Sequence, residues 1–186
     1  KRDYILANIE KFDNVYTMLA DEKSKKVLLN LLNYRITYKK EYLAEIVDAR
    51  QYFDDGLLNL KDDVVFVDAG SYIGDTLEVF VDYTDRKYEK VICLEPIQKN
   101  VNLLENYIKK SDVKNVDVFK LGASDKQKTL CFDGTNGMAA RESDGGDVVV
   151  ECDSIDHIFE KVDCNHIDFI KMDIEGAEYE ALLGAK

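Results

Sequence analysis

The sequence predicts an α/β fold built on a parallel sheet and preceded by a helical segment, and three observations carry that reading. Val64 to Val67 is an unbroken, β-branched apolar run that leads through Asp68, Gly70 and Gly74 into apolar residues at helical spacing, Leu77, Phe80 and Val81. Apolar stretches, short or interrupted by single charged residues, recur at 90–94, 116–121 and 167–172, with helical spacing returning between them. Residues 1–61 contain no such run and instead carry apolar stripes at helical spacing.

Composition bounds what such a chain can do. Its 186 residues suffice for one domain with a proper core, or for one domain with a small appendage. Hydrophobic residues at 46% beside charged residues at 33% describe a soluble, globular chain. No apolar run reaches the roughly 20 residues of a membrane span, and no signal-peptide pattern opens the chain. Lys1 stands where a Met would begin translation, so a processed or cut chain is expected. The net charge of −12 disfavours nucleic acid and anionic membranes as partners. It belongs to residues 62–186, with 14 basic and 27 acidic residues, against 11 and 10 in residues 1–61. A small neutral or cationic ligand suits that part better than a polyanion. Cys93, Cys131, Cys152 and Cys164 form no C-x-x-C pair and no zinc-like spacing with His157 or His166. Cys93 and Cys152 fall inside predicted strands, where a reduced cysteine is a small hydrophobe, and a reducing, cytoplasmic setting is expected.

Taken in order, Asn8 to Leu19 places Ile9, Phe12, Val15, Tyr16 and Leu19 on one helical face. Asp21 caps a second amphipathic helix, and Tyr38 to Ala49 suits a third. These stripes read as packing against the main domain. A sharper reading makes the segment a lid or substrate wall, with Tyr52 and Phe53 near the pocket.

At the turn after the first strand, the dinucleotide pattern G-x-G-x-x-G is absent. What stands there is acid-x-Gly-x-x-x-Gly, with Asp68 at the predicted strand tip and Asp75 favouring a helix start. The glycines let backbone N–H groups approach a ligand, and the helix end adds partial positive charge. An acid directed into that pocket repels a pyrophosphate but suits a ligand carrying an ammonium and a sulfonium, as S-adenosylmethionine does. The second strand ends at Glu95, roughly 20 residues beyond the turn, where ribose-binding carboxylates sit in nucleotide-binding α/β folds. Its two oxygens can accept both ribose hydroxyls, and Pro96 stops the strand.

Asn100 to Lys110 returns as a helix with Val101, Leu104 and Ile108 inward. Val116 to Leu121 reads as the third strand, and Gly122 to Asp125 as its C-terminal turn, small enough for a flat ring to lie close. Lys128 to Phe132 and Asp147 to Cys152 alternate as paired antiparallel strands do, around a glycine-containing loop, Gly134 to Gly146. Ile155 to Val162 is a short helix after Asp153 and Ser154. The fourth parallel strand follows, with Asp173 at its tip, Glu175 beyond it, Gly176 in the turn, and a helix from Glu178. Asp173, Glu175 and Glu178 can ligate a hard cation, but caps and turn hydrogen bonds account for Glu175 and Glu178 equally well, and no metal is assigned.

Four stretches together resemble the FkbM family of S-adenosylmethionine-dependent methyltransferases: Phe-Val-Asp-Ala-Gly-Ser-Tyr-Ile-Gly-Asp-Thr, Leu-Glu-Pro, Gly-Ala-Ser-Asp and, most specifically, Ile-Lys-Met-Asp-Ile-Glu-Gly-Ala-Glu. The leading helices also look like the N-terminal extension of some members. The resemblance implies a Rossmann-like, doubly wound sheet of the class I methyltransferase type, with residues 1–61 as a helical extension and 62–186 as a C-terminally incomplete cofactor-binding domain. It implies S-adenosyl-L-methionine as cofactor and O-methylation of a hydroxyl on a sugar or natural-product-like small molecule. Asp68, Gly70 and Gly74 would then hold the methionine part, Glu95 would bind the ribose, and Ala123, Ser124 and Asp125 would neighbour the adenine, with Ala69 and Pro96 also among the cofactor-binding residues. Asp173 would face the methyl group as the base, with Glu175 as second choice. Lys171 points to the same face as Asp173 and is expected to pair with an acid. Tyr72 departs from the general motif, which often has glycine there. The chain also ends before the last strands of the fold, which leads to the expectation of a fragment whose fourth strand associates along its open edge or needs further residues. A non-catalytic cofactor-binding module is the alternative, and a nicotinamide-dependent oxidoreductase is disfavoured by the missing glycine and by Asp68.

Overall fold

Val65, Phe66 and Val67 suit a pleated strand with no solvent face, and they begin β1 (Val65–Ala69), in which every residue is buried. The computed structural model describes residues 2–48, 50, 52–54, 58–132 and 148–186. In it β1 pairs in parallel with β2 (Lys90–Leu94) on one side and with β7 (Phe169–Met172) on the other. β3 (Val116–Phe119) lies outside β2, so the strand order among the described residues is β3-β2-β1-β7. The order therefore reverses direction at β1.

Alternation along the strands separates two cores. Phe66, Val91 and Cys93 face α5 (Asp75–Tyr83) and α6 (Gln98–Lys110), whose Leu77, Phe80 and Leu104 are fully buried against them. Val67, Ile92 and Leu94 face the other way, toward α7 (Ile155–Phe159) and α8 (Glu178–Leu183) through Ile155, Ile158 and Ala181. The first core is aromatic: the Phe66 and Phe80 ring centroids lie 4.5 Å apart. Phe53 touches both of them, together with Tyr83 and Phe169. Burying a side chain like Phe53 contributes about 1.5–3 kcal/mol. It is 1% exposed, so it belongs to the core and not to a pocket wall.

Gly122 to Asp125, expected as a turn, supplies a strand of its own, β4 (Gly122–Ser124). It belongs to a second sheet with β5 (Lys128–Phe132) and β6 (Val148–Ser154), in the order β4-β6-β5. β5 and β6 pair antiparallel as expected, with Lys128 opposite Cys152, while β4 runs parallel to β6. The absence of a side chain at Gly122 permits this: a Cβ there would stand 2.9 Å from Cys152 Sγ. The predicted loop Gly134 to Gly146 lies outside the described residues.

The chain divides into compact units at Lys1–Gln51 and Tyr52–Lys186. Within the first unit, α1 (Arg2–Ala7) precedes α2 (Ile9–Met18), and Asp21 caps α3 (Glu22–Thr37) by accepting from the Ser24 N–H at 2.8 Å. The helix expected over Tyr38 to Ala49 is only α4 (Glu41–Ala44); it cannot begin at Tyr38, which closes α3 in the left-handed region, φ 58°. Among the described residues no helix is long and apolar enough to cross a membrane.

Candidate active site

In an open parallel sheet, ligands settle beyond the carboxyl ends of the strands where the order reverses. Here that place is the end of β1 between β2 and β7. The ladder continues one residue past the predicted strand, since Ala69 O accepts from the Asp173 N–H at 3.1 Å. Gly70 follows with φ 82°, and a Cβ on it would stand 2.2 Å from the Asp173 carbonyl oxygen. Its glycine character is set by the close passage of the chain after β7.

Because β1 extends to Ala69, Asp68 is inside the strand and its side chain enters the core, which corrects the expectation of an acid at the tip facing an open pocket. Asp68 lies opposite Lys171 in register, and its Oδ1 is 3.0 Å from Lys171 Nζ. This is a contact of charges, since neither carboxylate oxygen receives a well-aligned hydrogen bond among the described residues. Burial pushes the Asp68 carboxyl above its ordinary range, and the nearby Lys171 ammonium pulls it back only in part.

The turn directs its N–H groups inward. Gly70 and Ser71 donate to Leu94 O at 2.9 and 3.1 Å, and Ser71 Oγ donates to Asp68 O at 2.6 Å. Tyr72 adopts φ 47°, the left-handed conformation that a glycine would take freely, and donates its N–H to Glu95 Oε2 at 3.0 Å. Glu95 Oε1 accepts from the Ile97 N–H at 2.9 Å and from Asn100 Nδ2 at 3.1 Å. Glu95 is thus a strut between the turn and the start of α6, not a carboxylate with both oxygens free. Pro96 is half-buried beside it, and Gly74 caps α5 at φ 96°.

Beyond β7, Asp173 is exposed and its Oδ2 accepts from the Tyr52 hydroxyl at 3.2 Å. Tyr52 was legible only as half of an aromatic pair near the pocket; its distance in sequence from Asp173 hid this contact. Glu175 is exposed at φ 55°, followed by Gly176 at φ 105°. Glu178 accepts from the Ile174 N–H at 3.1 Å, and hydrogen bonds from its own and neighbouring backbone N–H groups hold its carboxyl below the ordinary range. Glu178 therefore serves the turn.

Ala123 and Ser124 are buried rather than lining an open turn. Ser124 Oγ lies 3.2 Å from Asp125 Oδ1 and 3.3 Å from Glu180 Oε2 and donates its single proton to one of them, and Lys128 bridges Asp125 and Glu180. Their contacts run to β6 and α8. Among the described residues no three His, Cys, Asp or Glu side chains converge as metal ligands would. An open groove lined by Glu105, Ile108 and Val116 lies at the start of β3, at the opposite end of the sheet.

S-adenosylmethionine offers an ammonium, ribose hydroxyls and a flat purine, and the residues around Glu95 fit the last two. A carboxylate has about four acceptor positions, of which described donors occupy three, leaving one on Oε2. Tyr72, Ile73 and Ile97 expose apolar side chains beside it. Asp68 is fully buried, with Lys171 Nζ 3.0 Å from its Oδ1.

The methyltransferase FkbM domain matches residues 68–186. A crystal structure of methyltransferase FkbM from Methylobacillus flagellatus KT is similar with a TM-score of 0.76 and 28% identity, over 99% of this chain and 46% of that one. The chain thus spans less than half the length of that protein. A SAM-dependent methyltransferase from Aquifex aeolicus shows 21% identity and a TM-score of 0.35 over 61% of this chain and 53% of its own. No curated protein matches the chain.

Proposed function

The chain belongs to the FkbM methyltransferase family and has a Rossmann-like α/β fold, and from that premise we propose that it transfers a methyl group from S-adenosyl-L-methionine to a hydroxyl of a small molecule. The observation that carries the reading is the exposed Asp173 carboxylate, held by Tyr52 beside the turn where the strand order reverses. When bound, the cofactor supplies an activated sulfonium methyl, which bonds to the acceptor oxygen as its bond to sulfur breaks. Glu95 holds the ribose through its remaining acceptor position, and Tyr72, Ile73 and Ile97 exclude water from the purine. Asp173 accepts the proton that the acceptor hydroxyl loses, because a neutral hydroxyl is a weak nucleophile. The Tyr52 hydroxyl occupies Oδ2 and leaves Oδ1 for that proton. Glu175, in the turn after β7, is the second acid. Ala123, Ser124 and Asp125 support the adenine side from behind through β4.

Turnover against a panel of hydroxyl acceptors, with calorimetric titration of S-adenosylhomocysteine, tests this reading. Asp173→Asn is expected to lower kcat by about 100-fold or more while leaving S-adenosylhomocysteine affinity nearly intact, within the usual range for a general base. Chelator treatment is expected to leave wild-type activity unchanged. Activity lost to chelator and restored by magnesium would make the acids around Asp173 ligands instead. Cofactor binding without turnover on any acceptor would favour the non-catalytic module.

A further inference from the structure

Lys171 is a buried cation that the proposed chemistry does not use. Its side chain is 4% exposed, and an ammonium has three N–H groups to direct. Three neighbours surround it: Asp68 Oδ1 at 3.0 Å, the Gly70 carbonyl at 2.9 Å, and the face of the Tyr52 ring, whose centroid is 5.6 Å away. Tyr52 in turn donates to Asp173. Removing a lysine and an aspartate from water costs several kcal/mol per ion, and apolar residues of similar volume would fill the same core space without it. A pair kept only for packing has no need to reach a turn carbonyl and an aromatic face as well.

We propose that Lys171 is a positioning residue: its ammonium, neutralised by Asp68, fixes the Gly70 carbonyl in the turn after β1 and the Tyr52 ring that orients Asp173, so that one buried cation sets both sides of the site. Asp68 then acts on a bound ligand through Lys171 and not as the counter-charge of the ligand's ammonium. The ligand arm of the inference rests on the functional reading above.

The test uses Asp68→Asn/Lys171→Met, which removes both charges and keeps approximate shape, so that no uncompensated ion is buried. Affinity is measured by calorimetry for S-adenosylhomocysteine and for its analogue lacking the amino group. Both affinities are expected to fall by about tenfold, the scale of one lost charge-assisted hydrogen bond, with their ratio as in wild type. A loss confined to the ligand with the amino group would make Asp68 its direct partner and overturn the proposal. Without ligand, amide exchange at Tyr72 and at Asp173 is expected to accelerate while α6 amides keep wild-type rates; unchanged exchange at both would also overturn it. If wild type binds neither ligand, the functional reading fails, and the exchange result still decides the role of Lys171. Should the double variant not fold, Lys171→Arg keeps the charge facing Asp68 but displaces it from Gly70, and the same acceleration is expected there.

Discussion

Glu95→Ala is expected to weaken S-adenosylhomocysteine binding by one to two decades and to loosen the turn after β1 even without ligand. The substitution strands three donors, the Tyr72 and Ile97 N–H groups and the Asn100 amide, besides removing the acceptor position left for a ribose hydroxyl. Hydrogen bonds to a charged group contribute about 1.5–3 kcal/mol each, and about 1.4 kcal/mol corresponds to tenfold in affinity. Tyr72 makes the loss larger than a simple ligand contact would, because its left-handed φ of 47° is held in place by Glu95. Calorimetry on the variant checks the binding arm, and unchanged affinity would reject the ribose assignment. Adding Tyr72→Gly to Glu95→Ala should recover part of the lost unfolding free energy but none of the ribose contact.

Gly70→Ala is expected to reduce the unfolding free energy by about 2–5 kcal/mol, from overpacking against backbone and from a side chain in the left-handed region. The new Cβ would stand 2.2 Å from the Asp173 carbonyl, and main chain cannot turn aside as a side-chain tip can. Against a typical total of about 5–15 kcal/mol, that is a large fraction. Urea unfolding measures it; a loss below about 0.5 kcal/mol, the range of an ordinary surface substitution, would mean that β1 and β7 do not meet this closely.

The elements that sequence located best are those whose signal is local. Val64–Val67 and Val91–Leu94 are continuous apolar runs because both faces of the sheet are covered, and Asp21 and Ser154 cap helices three residues from the N–H groups they accept. What sequence missed depends on register or on turn geometry. Asp68 meets Lys171 only because β7 lies beside β1 in one register, and no spacing along the chain encodes that. Strand β4 is three residues long, too short for a period, and two of its residues, Gly and Ala, also suit a turn. The Tyr72 N–H reaches Glu95 from a left-handed turn, which side-chain patterns do not reveal, and the Ile97 and Asn100 donors come from the start of α6.

Cys93 sits in β2 opposite Asp68, with no exposed surface, and burial raises its thiol far above the range in which a thiolate forms. It is a chemically silent atom in the layer that carries Lys171. Thiol-trapping reagents react with thiolate, so modification of Cys93 waits for the sheet to part, whereas the half-buried Cys131 and Cys164 need only local motion. With those two replaced by serine, and with buried Cys152 as an internal comparison in the second sheet, trapping rates would time how often each sheet opens in the native protein. The molecule thus carries its own clock for the breathing of its centre.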